Sequence, residues 1–423
     1  MNIIDARKLT VCVTRARAIM SVSELIYDWN TVEPQLHKPD RHISFDDETL
    51  RDGLQSPSVC EPSVEQKIEL LHLMDALGID TADIGLPGAG GTHAASVELM
   101  AREIADKKMK IRPNCAARTH KNDIIPIAEI SQRAGIPIEA CTFIGSSPIR
   151  FFAEEWTLDK LLRLTEEAVT FAVSEGLPVM FVTEDTTRAD PETIRALYTT
   201  AIRCGARALC VCDTVGHATP DGAREVVKFV RGIIDEQGEK VRLDWHGHQD
   251  RGLGVINSIA AIQAGADQVH GSALGMGERV GNTPMDQLLV NLKLLGWIDN
   301  DLSRLREYCD KAAEGCRWTI PFNYPVFGKD AFRTATGVHA AAVIKSYRKG
   351  DTELADLIYS GVPAGQFGLK QIIEVGPMSG KSNVIFWLES RGVEASEDRI
   401  NRIYDRAKQA TAVLSEEELL ELV

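Results

Sequence analysis

Between residues 42 and 295 the sequence repeats one pattern eight times: a short apolar stretch of strand length, a polar loop, then an amphipathic stretch of ten or more residues. The apolar stretches fall at 43–47, 81–85, 110–114, 138–143, 179–183, 208–213, 242–246 and 268–273. Side chains alternate with period 2 in a strand and 3.6 in a helix, so a chain that switches regularly between the two is built from βα units. Such units form either an open doubly wound sheet of five or six strands or a closed barrel of eight. Eight units spread over about 250 residues match the barrel. The expected fold is therefore α/β, a (β/α)8 TIM barrel followed by a mostly α-helical C-terminal region. Local signals agree: Ser63 with Gln66 three residues on is a capping-box pattern, and Asp190-Pro191 places proline in a first helical turn.

The rhythm stops near Leu295. The expected organisation is an N-terminal arm over 1–40, closed by Pro34 and Pro39, a barrel over 41–300 and helical subdomains over 301–423. The acids of the leucine-rich tail read as a solvated helix face. A formal charge of -14 argues against a nucleic-acid or anionic-membrane partner, because neutralising phosphates requires clustered lysine and arginine. No apolar run is long enough to span a bilayer, and Arg7, Lys8, Arg15 and Arg17 interrupt any signal-peptide core. Nine scattered cysteines fit a reduced, cytoplasmic protein that uses them as small core residues.

In such a barrel the chemistry sits at the C-terminal ends of the strands, so the polar residues there are read together. Strand one runs into Asp47-Glu48-Thr49-Leu50-Arg51-Asp52-Gly53-Leu54-Gln55, strand five into Glu184-Asp185, strand six into Asp213-Thr214, strand seven into His246-Gly247-His248 and strand eight into the glycine-rich 275–282. His246 and His248 are two apart on a strand and share a face. Two imidazoles and one carboxylate, assigned to Asp52, make a three-ligand set for a divalent metal ion such as Mn, Zn or Mg, with positions left open. A metal there would polarise a 2-oxo acid's carbonyl, and Arg51 would stabilise the developing alkoxide.

Four boxes carry a resemblance: Leu50-Arg51-Asp52-Gly53-x-Gln55, His246-x-His248, Gly275-x-Gly277-Glu278-Arg279-x-Gly281-Asn282 and Gly337-Val338-His339. In this order the chain resembles the acyl-CoA-condensing branch of the metal-dependent TIM-barrel lyases, which contains 2-isopropylmalate, homocitrate and citramalate synthases. The resemblance implies that Asp52, His246 and His248 hold the metal with Asn282 beside it, and that Arg51 polarises the carbonyl. It implies that Glu184 is an active-site glutamate, and that Thr214 and Gln55 bind the oxo acid. It also implies that Gly275, Gly277, Glu278 and Arg279 serve the co-substrate acetyl-CoA. His339 and Tyr359 would form a catalytic pair reaching a neighbouring subunit, which implies a homodimer or higher oligomer. The implied reaction is a Claisen condensation of acetyl-CoA with a 2-oxo acid, with 2-oxoisovalerate first and homocitrate, citramalate or another alkylmalate synthesis next.

The chain departs from that pattern at Leu54, Gln249 and Thr334, and in the proline spacing after Tyr359; these bear on substrate identity and not on the metal ligands. No leucine-binding regulatory domain follows the helical region, so leucine inhibition by that route is not expected. A lyase of the hydroxymethylglutaryl-CoA type would carry a cysteine in 275–282, where this chain has none. Gly376 to Ser382 lacks the spacing of a phosphate loop, and Gly252 and Gly254 read as packing glycines. Glu184-Asp185 and Thr214 could otherwise open or cap helices. His217 and His270, with no partner at ligand spacing, read as surface or hydrogen-bonded structural histidines.

Overall fold

In the computed structural model the described residues are 25–34 and 36–423, so most of the expected N-terminal arm lies outside them. They divide into two compact units. The larger comprises Lys38–Phe332 with Gln366–Leu369. Its eight strands are β1 (Ser44–Asp47), β2 (Thr81–Asp83), β3 (Arg112–Arg118), β4 (Glu139–Gly145), β5 (Val179–Glu184), β6 (Ala208–Asp213), β7 (Arg242–Gly247) and β8 (Gln268–Gly271). They close in chain order into a barrel, with β1 pairing parallel to both β2 and β8. The fold is a TIM barrel, as the eightfold repeat predicts.

The intervening helices are α1 (Val64–Leu77), α2 (Thr92–Lys107), α3 (Lys121–Ala134), α4 (Pro148–Glu154), α5 (Leu158–Ser174), α6 (Pro191–Arg203), α7 (Pro220–Gln237) and α8 (Gly254–Ala264). After the last strand come α9 (Met285–Leu294) and α10 (Leu305–Cys316). Their starts follow local chemistry. The Ser63 hydroxyl accepts from the Gln66 N–H in a complete capping box, and the Asp190 carboxylate accepts from the N–H groups of Glu192 and Thr193. Strand β6 is buried at every position, and β5 nearly so, because helices cover the outer face while side chains fill the interior.

The largest departure from the expected strands is in β3; the ends of the others shift by two residues or fewer. The sequence suggests 110–114, whereas β3 runs on to Arg118. Cys115, Ala116 and Ala117 carry little strand preference of their own; pairing of Asn114–Arg118 with residues 139–143 of β4 extends the strand through them. The extension matters for function because it places Ala116 on the cavity wall described below.

The smaller unit contains Arg333–Gly365 and Lys370–Val423. A short parallel pair, β9 (Arg333–Thr334) and β10 (Ile372–Ile373), accompanies α11 (Gly337–Arg348), α12 (Thr352–Leu357), α13 (Lys381–Glu389), α14 (Glu397–Gln409) and α15 (Glu416–Glu421). Ala340, Val343, Ile344 and Ala355 form one core, and Val384, Trp387, Leu388, Ile403 and Leu419 belong to a second. In the tail Leu419 packs inward, while Glu416 and Glu418 pair with Arg391 and Arg406. Among the described residues no helix is long and apolar enough to cross a membrane, and eight cysteines are free.

Candidate active site

A cavity opens at the C-terminal ends of the barrel strands. Strand β7 delivers His246 to its wall and His248 follows one residue beyond, so the two rings share a face and their Nε2 atoms stand 3.2 Å apart. The turn after β1 brings Asp52 Oδ2 to 3.7 Å from His246 Nε2 and 3.6 Å from His248 Nε2. All three side chains are buried, and Asp52 Oδ2 has no hydrogen-bond partner. Asn282 pairs with His248 through an isolated backbone bridge; its side-chain Oδ1 is likewise buried without a partner. A buried, unpartnered carboxylate oxygen facing two convergent imidazole nitrogens is costly unless a cation joins them. The donor set therefore fits a divalent metal of the N/O-ligated kind.

Without a metal the two rings hold their protons very differently. Burial lowers the proton affinity of both rings, but the Glu48 carboxylate outweighs it at His246, which is pushed up to about 9. His248 is pushed down to about 4 by burial and by the charge of His246. The second ring is thus kept neutral, with a lone pair to offer.

Arg51 lies beside this set and is held by three carboxylates. Nε donates to Asp83 Oδ2 at 2.6 Å, Nη1 to Asp52 Oδ1 at 2.9 Å, and Nη2 to Glu48 Oε2. Burial pushes the Asp83 carboxyl up to about 7, against the opposing pull of Arg51. Glu184 ends β5 on the opposite wall; burial raises its carboxyl above the ordinary range, with Arg150 and Arg51 countering. Its neighbour Asp185 takes a left-handed backbone and turns to Arg188 at 2.7 Å. Thr214 lines the cavity and its hydroxyl accepts from the Asp185 N–H at 2.8 Å. The helix that follows begins at Pro220 and is capped by Thr219, so Thr214 is not a helix cap.

Gln55 stands exposed at the rim. In the loop after β8, Glu278 reaches the cavity, while Arg279 turns aside to Asp250 at 2.8 Å and to the Thr214 carbonyl at 2.6 Å. Gly275 and Gly277 shape that loop, whose Gly275 carbonyl accepts from the Asn282 N–H at 3.1 Å. Gln249 lies against Gly254 and Gly275, where a Cβ on either would crowd its side chain. His339 and Tyr359 belong to the smaller unit, where their rings stack with centroids 3.9 Å apart.

Three residues that motif reading passed over complete the barrel site. Asp83 ends β2 and Glu48 follows β1, positions that the strand-end rule itself singles out. His270 requires a correction. It does have partners at ligand spacing, since its Nδ1 lies 2.7 Å from Glu48 Oε1, and Glu48, His246 and His270 form a second convergent group. The other half of that reading stands, because His270 is buried and hydrogen-bonded. His217 is exposed, as expected.

A family profile described as HMGL-like matches residues 42–310, the whole barrel. The chain belongs to the HMGL-like family. Within it, this HMGL-like chain is 31 % identical over 377 residues to a homocitrate synthase of Methanopyrus kandleri, covering 88 % of this chain and 89 % of that one. It is 31 % identical over 376 residues to a 2-isopropylmalate synthase of Pyrococcus furiosus, covering 87 % and 72 %. Citramalate synthases are among its relatives too, so the chain falls in the group of TIM-barrel condensing enzymes that its motifs resemble. A hydroxymethylglutaryl-CoA lyase structure from Pseudomonas aeruginosa superposes with a TM-score of 0.55 at 18 % identity, over 66 % of this chain and 93 % of that one, a likeness of fold.

Proposed function

We propose that this HMGL-like protein condenses acetyl-CoA with a 2-oxo acid and hydrolyses the resulting thioester, and that the acid is 2-oxoisovalerate, giving 2-isopropylmalate. The observation that carries the reading is the convergence of Asp52, His246 and His248 beside a fully paired Arg51. A divalent metal held by those three, with Asn282 nearby, supplies Lewis-acid polarisation of a carbonyl.

The chain's own groups supply the rest. Arg51 cannot lose its proton and is locked by three carboxylates, so its charge is already oriented toward an oxygen that becomes negative. A base in the region of Glu184 and His339 removes a proton from the acetyl methyl group. The methyl carbon then bonds to the keto carbon, and the keto oxygen takes up a proton. Water finally displaces the CoA thiol, leaving a carboxylate. The stacked His339–Tyr359 pair is proposed to act across a subunit boundary, in at least a dimer.

Substrate choice rests on the cavity wall. Ala116, Cys141, Phe143, Met180 and Val182 offer an apolar surface to a branched aliphatic side chain. Among the described lining residues Arg51 is the sole lysine or arginine, and its charge is matched, leaving none for a second carboxylate. One observation favours a second reading, homocitrate synthesis from 2-oxoglutarate: Arg150 lies close enough to Glu184 to oppose its raised proton affinity, and could receive a distal carboxylate.

A thiol-release assay with acetyl-CoA and a panel of 2-oxo acids, with and without chelator, tests both. Release with 2-oxoisovalerate that stops on adding EDTA and returns with Mn²⁺, Mg²⁺ or Zn²⁺ is the expected result. Preference for 2-oxoglutarate, abolished in Arg150→Ala, selects the second reading. Silence with every acid and metal sinks both.

A further inference from the structure

We infer that Glu48, backed by His270, is the positioning residue that aims both halves of the site, the metal-facing ring of His246 and the guanidinium of Arg51. The inference rests on the functional reading above and adds to it a residue that no motif singles out.

Glu48 is clamped before its side chain acts. Its N–H donates to the Gly271 carbonyl at 2.8 Å, and its own carbonyl accepts from the Gly53 N–H at 2.9 Å. The two carboxylate oxygens then divide their work. Oε1 accepts from His246 Nδ1 at 3.0 Å and from His270 Nδ1 at 2.7 Å, and Oε2 accepts from Arg51 Nη2. An ionised carboxylate only accepts, so each nitrogen that faces it carries a proton. With a proton held on His246 Nδ1, Nε2, which faces His248 and Asp52, is the nitrogen directed to ligate. Without Glu48 the ring could flip or carry its proton on the wrong nitrogen.

His270 supplies the backing. Its Nε2 faces Asp244 Oδ2 at 3.3 Å while Nδ1 faces Glu48 and, at 3.7 Å, Asp46 Oδ2. A ring set between three carboxylates is held from both nitrogens, and its contact through Nδ1 keeps Glu48 Oε1 in place. A relay therefore runs from Asp244 through His270 and Glu48 to His246, with a branch to Arg51. Glu48, His246 and His270 could in principle hold a cation of their own. Two Nδ1 atoms directed at one carboxylate oxygen at hydrogen-bond distance argue for N–H donors instead, because His246 would have to surrender both ring protons to serve two ions.

The test uses the full chain stripped with EDTA and titrated calorimetrically with MnCl₂, as wild type, Glu48→Gln and His270→Gln. Circular dichroism and the unfolding midpoint check that each variant folds. The expected result is one Mn²⁺ per wild-type chain, an affinity about 10- to 100-fold weaker in Glu48→Gln, and a smaller loss in His270→Gln. At saturating Mn²⁺, kcat for CoA release should fall in Glu48→Gln more than KM for the oxo acid rises, since Arg51 acts on charge that develops in the transition state. Unchanged Mn²⁺ affinity in the folded variants overturns the inference. So does a wild type that binds two Mn²⁺ with the second lost in His270→Gln, which would make the cluster a cation site. If no acid releases CoA from the wild type, the functional reading fails, while the Mn²⁺ affinities still decide the role of Glu48.

Discussion

The guanidinium of Arg51 directs three N–H groups at three carboxylates, which is what a planar fork can do and an ammonium cannot. Lysine at this position would keep the charge and lose two of the three contacts, leaving buried Asp83 and Glu48 poorly matched. Arg51→Lys is expected to lower kcat by about 10²–10³ with acetyl-CoA and the preferred oxo acid, the scale of removing one oriented donor. Steady-state kinetics of a folded Arg51→Lys variant that retained wild-type kcat would remove the arginine from the mechanism. Arg51, Asp52, His246 and His248 are legible in the sequence because each motif's residues are close together and strand geometry does the rest. Glu48 as partner of His246 and His270 is not legible in the same way, since those contacts span 198 and 222 residues. Nothing local distinguishes a carboxylate that will meet two imidazoles from one that will face water.

At the scale of elements, the loop after β8 and the start of α9 hold Asn282 in place. Gly281 has φ 98°, and a Cβ there would sit 1.7 Å from the Gly275 carbonyl oxygen. The loop cannot close around alanine, so Gly281→Ala is expected to cost at least about 2 kcal/mol of stability, read as a lowered urea midpoint, and to weaken metal binding by displacing Asn282. An unaltered midpoint would mean that the loop is free to rearrange. Asp286, in the first turn of α9, accepts from the Leu274 N–H at 2.8 Å and the Tyr324 hydroxyl at 3.0 Å. Burial pushes its carboxyl up to about 6. The folded state therefore binds the proton more tightly than the unfolded chain, whose value is about 4. Its contribution is full below pH ~4 and is lost as pH rises through 6, by up to roughly 3 kcal/mol. Asp286→Asn should thus gain stability relative to wild type between pH 4 and 7 in parallel denaturation series. A constant difference across that range would refute the assignment.

The barrel as a whole carries a polar floor beneath the site. Arg242 donates through Nε to Asp244 at 2.8 Å and through Nη2 to Glu139 at 2.7 Å, tying β7 to β4 across the interior. Asp244 is fully buried, and Arg242 together with His270 holds its carboxyl below the usual range against the opposing effect of burial. Removing the cation strands that charge, so Arg242→Ala should destabilise the protein by about 3–5 kcal/mol in chemical denaturation. A loss under 1 kcal/mol would show that the floor is solvated once opened.

The sequence by itself determined the barrel, because eight alternations of period 2 and period 3.6 leave a chain of this length few other ways to bury its apolar faces. It also determined the candidate metal ligands and Arg51, whose spacing within β7 and after β1 sets their directions. Tertiary structure alone decided that β3 continues through Cys115-Ala116-Ala117, since pairing with β4 outweighs weak local preference. It also decided that Glu48, Asp83 and His270 join the site. Those three acquire their roles from closure of the barrel, which brings β1, β2, β7 and β8 side by side and buries charges that only one another can satisfy.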